Sequence, residues 1–215
     1  MAFEAVLFDF GGVYTASPFS AFETYAEEIG VSAETVLGLV FGPYDRDTDH
    51  AWHRLERGEI SIRDARDAIM ADARAEGIEL DPVEVLTRMA GGDGPRTALV
   101  ERTRALRDAG YRLGLVTNNA KEFGPAWKPV LPLDELFHAV VDSSEVGVRK
   151  PDPAIYLLAL ERVGGIAPER AVFVDDFAGN VAAARALGMQ GILVGADPRS
   201  AIAELDAILA RAPGT

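Results

Sequence analysis

The sequence predicts an α/β fold: a parallel sheet with helices on both faces and an inserted block of helices. Three observations carry this. Ala5-Val6-Leu7-Phe8 is an apolar run without helical spacing that stops at Asp9 and then Gly11-Gly12, as a short buried strand does. The following stretch of about 80 residues keeps a helical rhythm and holds no strand signal. From Pro95 onward helix and strand patterns alternate, the signature of parallel strands joined by crossover helices.

Taken in order, the elements follow from local chemistry. Ser17-Pro18 predicts a helix start, and Phe19, Phe22, Tyr25 and Ile29 recur at spacings of three and four before Gly30. Ser32 caps a second helix through Phe41, and Phe41-Gly42-Pro43-Tyr44-Asp45 breaks it. A third helix is predicted from about Thr48 to Arg57. Ser61 with Asp64 forms a capping-box pattern that opens a fourth, ending at Gly77, and Asp81-Pro82 opens a fifth to about Ala90. Gly91-Gly92-Asp93-Gly94-Pro95 reads as a hinge. With Gly11-Gly12 it brackets the helical block, which makes the block a candidate lid. Next come helix Arg96–Ala109, strand Arg112–Val116 ending in Thr117-Asn118-Asn119, a Pro-rich segment from Phe123 to Pro132, and a strand near Ala139–Asp142. Helix Ala154–Val163, strand Ala171–Val174 ending in Asp175-Asp176, helix Ala178–Leu187, strand Gly191–Val194 and helix Ser200–Ala210 complete the chain.

Composition narrows the function classes. The 215 residues, 48% hydrophobic, allow one large domain or a domain with an insertion. No cysteine is present, which excludes disulfides, zinc–thiolate sites and cysteine nucleophiles and fits a reducing compartment. There is no signal-peptide pattern and no apolar run of membrane-spanning length, so a cytoplasmic location is expected, with no membrane partner. A net charge of −13 argues against nucleic acid as a partner. It also means that any phosphate must be met by local positive groups or a metal. Oligomeric state stays open.

Those local groups converge at the strand ends, where open α/β sheets bind ligands. Asp9 follows the first strand, Thr117-Asn118 the second and Asp175-Asp176 the fourth. Lys150, one of three lysines in the chain, sits in the Lys150-Pro151-Asp152-Pro153 loop before a helix. Neighbouring acids after a buried strand repel each other unless a cation intervenes, and hard carboxylate oxygens suit Mg²⁺. An ammonium, a hydroxyl and an amide can hold phosphoryl oxygens. The glycines let the backbone approach a bound group. The set describes phosphoryl transfer, with a carboxylate that attacks phosphorus.

The motifs resemble those of the haloacid dehalogenase superfamily of hydrolases, over nearly the whole length. They are Val6-Leu7-Phe8-Asp9-Phe10-Gly11-Gly12-Val13, Leu115-Val116-Thr117-Asn118, Gly147-Val148-Arg149-Lys150-Pro151-Asp152-Pro153, and Val172-Phe173-Val174-Asp175-Asp176 with Asn180. The segment Trp52 to Ile60 resembles the branch that includes the phosphatase domain of soluble epoxide hydrolases. The resemblance implies a Rossmann-like core from residues 1–15 and 95–215 and a helical cap from 16–94. It implies a Mg²⁺-dependent phosphatase acting on a small phosphorylated substrate through an aspartyl-phosphate. Asp9 would be the nucleophile, with Thr117 and Lys150 holding the phosphoryl group and Gly11, Gly12 and Asn118 binding substrate. Asp9, the Gly11 carbonyl and Asp176 would hold the metal, with Asp175 as a further ligand or a supporting acid.

One departure matters. Family phosphatases carry a second aspartate two residues after the nucleophile, as general acid and base; here that position is Gly11. Substrates with good leaving groups, or a cap residue such as Tyr14, Asp45, His50 or His53, are the ways round its absence. A 2-haloacid dehalogenase and a weakly active or non-catalytic phosphate-binding relative are the alternative readings. A halide leaves without a proton, whereas the paired aspartates favour a metal.

Overall fold

The computed structural model describes residues 2–15, 19–89 and 96–210, side chains at 19–21 and 89 excepted. Strands β1 (Ala5–Phe8), β2 (Arg112–Thr117), β3 (Ala139–Asp142), β4 (Ala171–Asp175) and β5 (Gln190–Leu193) form one sheet in the order β3-β2-β1-β4-β5. Every pairing is parallel. The four residues of β1 alternate between two cores, which is why the run is apolar without a break. Val6 and Phe8 pack on one face with Leu99, Leu106 and Leu205. Ala5 and Leu7 pack on the other with Ile155, Tyr156 and Ala184. Helices therefore cover both faces, as the alternating pattern requires.

Between β1 and β2 lie α1 (Phe19–Ile29), α2 (Ala33–Phe41), α3 (Ala51–Glu56), α4 (Ile62–Ala75) and α5 (Pro82–Met89). Their inward faces, Phe22, Val36, Phe41, Trp52, Leu55, Ile69 and Val85 among them, form a third hydrophobic cluster of their own. The Ser61–Asp64 capping box opens α4 as its sequence predicts. The third helix starts three residues later than the sequence suggests. His50 caps it by accepting from the Trp52 N–H, while Thr48 is held outside it by the His53 ring. The chain enters and leaves this segment at one place: the Arg96 N–H donates to the Tyr14 carbonyl at 2.6 Å. The Gly91–Pro95 hinge and the Ser17-Pro18 helix start lie outside the described residues.

After β1 and the helical segment come α6 (Thr97–Asp108), β2, two one-turn helices α7 (Gly124–Trp127) and α8 (Leu133–Leu136), and β3. They are followed by α9 (Ser143–Val146), α10 (Pro153–Arg162), β4, α11 (Ala178–Ala186), β5 and α12 (Pro198–Ala210). The chain winds outward from β1 through β2 to β3, then returns to the other side of β1 for β4 and β5. The reversal lies between β1 and β4, and the crevice beyond their C-terminal ends is where such sheets take ligands.

Candidate active site

Asp9 stands just past β1, its N–H bonded to the Val174 carbonyl of β4 at 2.9 Å. Its Oδ1 accepts the Phe10 N–H at 2.7 Å and lies 2.7 Å from Lys150 Nζ. Lys150 Nζ also donates to Asp175 Oδ2 at 2.8 Å, so one buried ammonium ties the end of β1 to the end of β4. Asp175 is fully buried. It accepts further from the Phe177 N–H at 2.8 Å and from Asn180 Nδ2 at 3.2 and 3.1 Å. Burial works against the Lys150 charge, but Asp175 and Asp9 outweigh it and hold the ammonium above its ordinary range. Burial drives the Asp9 carboxyl well above the usual carboxylate range; Lys150 opposes this, and the charges of Asp175 and Asp176 add to it.

Oxygens of Asp9, Asp175 and Asp176 lie within 4.8 Å of one another. Three carboxylates at that spacing, crowded at one sheet edge, form a hard-oxygen donor set that fits a cation such as Mg²⁺. The backbone is shaped around them. Gly12 has φ +66°, and a Cβ there would stand 1.8 Å from Asp176 Oδ2. Gly11 is different: its φ lies outside the left-handed region and a Cβ would meet nothing within 4 Å.

Asp9, Gly11, Thr117, Asn118, Lys150, Asp176 and Asn180 line the floor of a cavity of about 370 Å³. Two of the residues expected to bind substrate are placed with added detail. Gly12 is absent from the lining; its role is to make room for Asp176. The Asn118 amide, which lines the cavity, also bonds the backbone of Lys150, donating to its carbonyl at 3.0 Å and accepting its N–H at 2.8 Å, and so positions Lys150. The Thr117 hydroxyl is at the floor and buried.

The proposed stand-ins for the missing acid also fall elsewhere. Tyr14 lies in the sheet core, its hydroxyl 2.6 Å from Thr103 Oγ1. His53 is buried, accepts the Thr48 N–H at 3.0 Å, and is pushed down to about 3 by burial and by Arg149. His50 caps α3, Asp45 is exposed, and neither lines the cavity. The helical segment instead contributes Tyr44 and Glu56. Burial first, then the charges of Glu56, Asp176 and Asp9, keep the Tyr44 hydroxyl protonated. Glu56 accepts from Trp52 Nε1 at 2.8 Å and from Arg149 Nε at 2.6 Å. Sequence reading missed this buried pair because its partners are 93 residues apart.

The sequence model of the haloacid dehalogenase-like hydrolases matches residues 3–188. The chain belongs to that family. Among relatives of this hydrolase, mouse acyl-CoA dehydrogenase family member 10 is 28% identical over 213 residues, 97% of this chain but 19% of that protein. A sesquiterpene phosphatase from Aspergillus oryzae is 26% identical over 200 residues, covering 88% of this chain and 89% of its own. The chain thus spans about a fifth of the mouse protein and most of the fungal one. Among solved structures, a haloacid dehalogenase family enzyme of Bacteroides thetaiotaomicron, complexed with magnesium and inorganic phosphate, superposes with TM-score 0.60 at 20% identity, over 91% of this chain and 96% of that one. The L-2-haloacid dehalogenase of Xanthobacter autotrophicus does so with TM-score 0.58 at 20% identity, over 99% and 85%. Among the described residues, no helix is long and apolar enough to cross a membrane.

Proposed function

We propose that this hydrolase is a Mg²⁺-assisted phosphatase of small phosphorylated molecules, with Asp9 as nucleophile. The observation that carries the reading is the gathering of Asp9, Asp175 and Asp176 at the base of the cavity, with Lys150 bridging Asp9 and the buried Asp175. The magnesium and phosphate bound to the Bacteroides relative agree with it. Asp9, the Gly11 carbonyl and Asp176 would hold the ion, with Asp175 beside them. Once bound, it would offset the charge of the phosphoryl oxygens.

The chain's own groups do the rest. Asp9 Oδ1 is held by Lys150 and the Phe10 N–H, which leaves Oδ2 to attack phosphorus. The new O–P bond forms as the ester P–O bond breaks, and the departing oxygen keeps the electron pair. Lys150 and the Thr117 hydroxyl hold phosphoryl oxygens during transfer. Water then attacks the aspartyl-phosphate, releasing phosphate and restoring the Asp9 carboxylate. Residue 11 offers no side chain to protonate the leaving group or to deprotonate that water, so aryl and acyl phosphates suit the site best. Residues 16–94 serve as the cap that closes the cavity, while 1–15 and 95–215 form the core.

A phosphate-release screen with Mg²⁺ and with EDTA tests the reading. Turnover should require the metal and vanish in Asp9→Asn, whose melting temperature should match the parent's. Turnover retained by Asp9→Asn would remove that carboxylate from the mechanism. Gly11 favours a second reading, a 2-haloacid dehalogenase, since halide departs unprotonated. Halide release from 2-chloropropionate, undiminished by EDTA, would establish it instead.

A further inference from the structure

The cavity is divided by polarity. Its floor carries the carboxylates, Lys150 and Thr117; its walls are aromatic and aliphatic. Phe41, Tyr44, Trp52 and Leu86 come from the helical segment, and Phe123 and Trp127 from the stretch after β2. The rings brace one another edge to face or tilted. Phe41 and Trp52 have centroids 4.6 Å apart, Tyr44 and Phe177 4.8 Å, and Phe10 and Trp127 5.1 Å. Such walls are formed before any ligand arrives.

Beyond the floor, Glu56 is the one charged wall residue among those described, and both its oxygens are taken, by Trp52 and by Arg149. Lys150, the one cation in the described lining, sits on the floor, bonded to Asp9 and Asp175, with its remaining donor left for the phosphoryl group. A substrate bearing a second carboxylate would meet no cation at the wall. A sugar would bury several hydroxyls against rings, each stranded one costing about tenfold in affinity. A hydrocarbon moiety leaves nothing stranded and takes the rings out of water.

We infer that the substrate is a phosphate monoester of a bulky apolar phenol, an aromatic hydroxyl compound carrying hydrocarbon substituents, whose phosphate lies on the Asp9 floor and whose apolar part fills the aromatic walls. This rests on the phosphatase reading and deepens it to a substrate class. Leu86, Phe123 and Trp127 set the specificity.

The test is a series in which the leaving group stays a phenol while its apolar part grows: phenyl, 4-ethylphenyl, 4-butylphenyl and 4-hexylphenyl phosphate. With Mg²⁺, kcat/KM should climb by about three- to fourfold per methylene until the cavity is full. Leu86→Asp, which puts a charge in the wall, should flatten that slope within its own series. Calorimetry reads the same subsite without turnover: 4-butylphenylphosphonate should bind at least about tenfold tighter than phosphonoacetate, which carries the extra carboxylate. A flat series with phosphate still released, or tighter binding of phosphonoacetate, overturns the apolar class and leaves the phosphatase standing. No release from any member, with the phosphonate preference intact, overturns the phosphatase and leaves the apolar subsite standing.

Discussion

Gly11→Asp should restore the proton chemistry that this chain lacks. The position admits the change: φ lies outside the left-handed region, an added Cβ meets nothing within 4 Å, and residue 11 lines the cavity. A carboxyl placed there joins Asp9, Asp175 and Asp176, and their charges favour its protonated form, the form a general acid needs. General acid help contributes about 10²–10⁴-fold, or roughly 3–5 kcal/mol of barrier. The gain should fall on alkyl phosphates, whose alkoxides leave poorly, and hardly on aryl phosphates. The measurement is the alkyl-to-aryl ratio of kcat/KM in parent and variant, with the variant's fold confirmed by its melt. In the parent, phosphorylated Asp9 should accumulate and be seen by mass as an added phosphoryl group; in the variant it should be short-lived. Gly12→Ala is the contrast, since its Cβ would collide with Asp176 and its φ of +66° disfavours a side chain. That variant should lose activity. A parent that hydrolyses alkyl and aryl phosphates equally well, or a folded Gly11→Asp with an unchanged ratio, would refute the missing-acid argument.

Three further outcomes are expected. Asp176→Ala should weaken Mg²⁺ binding, measured by calorimetry, more than Asn180→Ala does, because Asn180 reaches the site by donating to Asp175; equal losses would oppose Asp176 as a ligand. Arg149→Met strands the buried Glu56 and should cost about 3–5 kcal/mol in urea unfolding, most of it regained in the Arg149→Met/Glu56→Leu double variant; additive losses would show that the pair is not a unit. His53 is held neutral at about 3 when folded, against an ordinary value near 6.5. The unfolded chain therefore takes up the proton first as pH falls, and stability present above about pH 6.5 drains away towards pH 3, by up to ~1.4 kcal/mol per unit. His53→Gln should lose that part of the slope, and parallel stability–pH curves for the two proteins would contradict it.

The centre of the sheet was legible because its three central strands are apolar runs closed by a polar residue: Ala5–Phe8 by Asp9, Val116 by Thr117, Val174 by Asp175. Those closing residues also gather at the base of the cavity, so that region could be read with the fold. What could not be read depends on direction and distance. A polar residue in a helical block can face a cavity or a core with the same spacing, so His53 looked available and is not, and Tyr14, in the turn after β1, packs into the sheet core. Asn118 has the chemistry of a ligand-binding amide, and only the approach of Lys150 from 32 residues away shows that it also holds that residue's backbone. Gly11 and Gly12 look alike in sequence; the position of Asp176 separates them. The four-residue helix α9 is too short to show a period, and it forms because Asp142 accepts from the Ser144 N–H.

The central place of β1 has a consequence for how the chain is made. Ala5 pairs with Arg112 and with Ala171, both more than a hundred residues downstream. On the ribosome, the strand that leads to Asp9 emerges before both of its neighbours and waits for them. The helices after it need no such wait, because their cluster is closed almost entirely within residues 22–86. The helical segment thus acquires its core before the Ala5–Phe8 run is paired, and Asp9 takes its place only when β2 and β4 arrive on either side. Loop closure over such lengths is slow, and an unpaired apolar strand is open to wrong partners. The geometry that makes Asp9 the centre of the site also makes its strand the part of the nascent chain most in need of shelter.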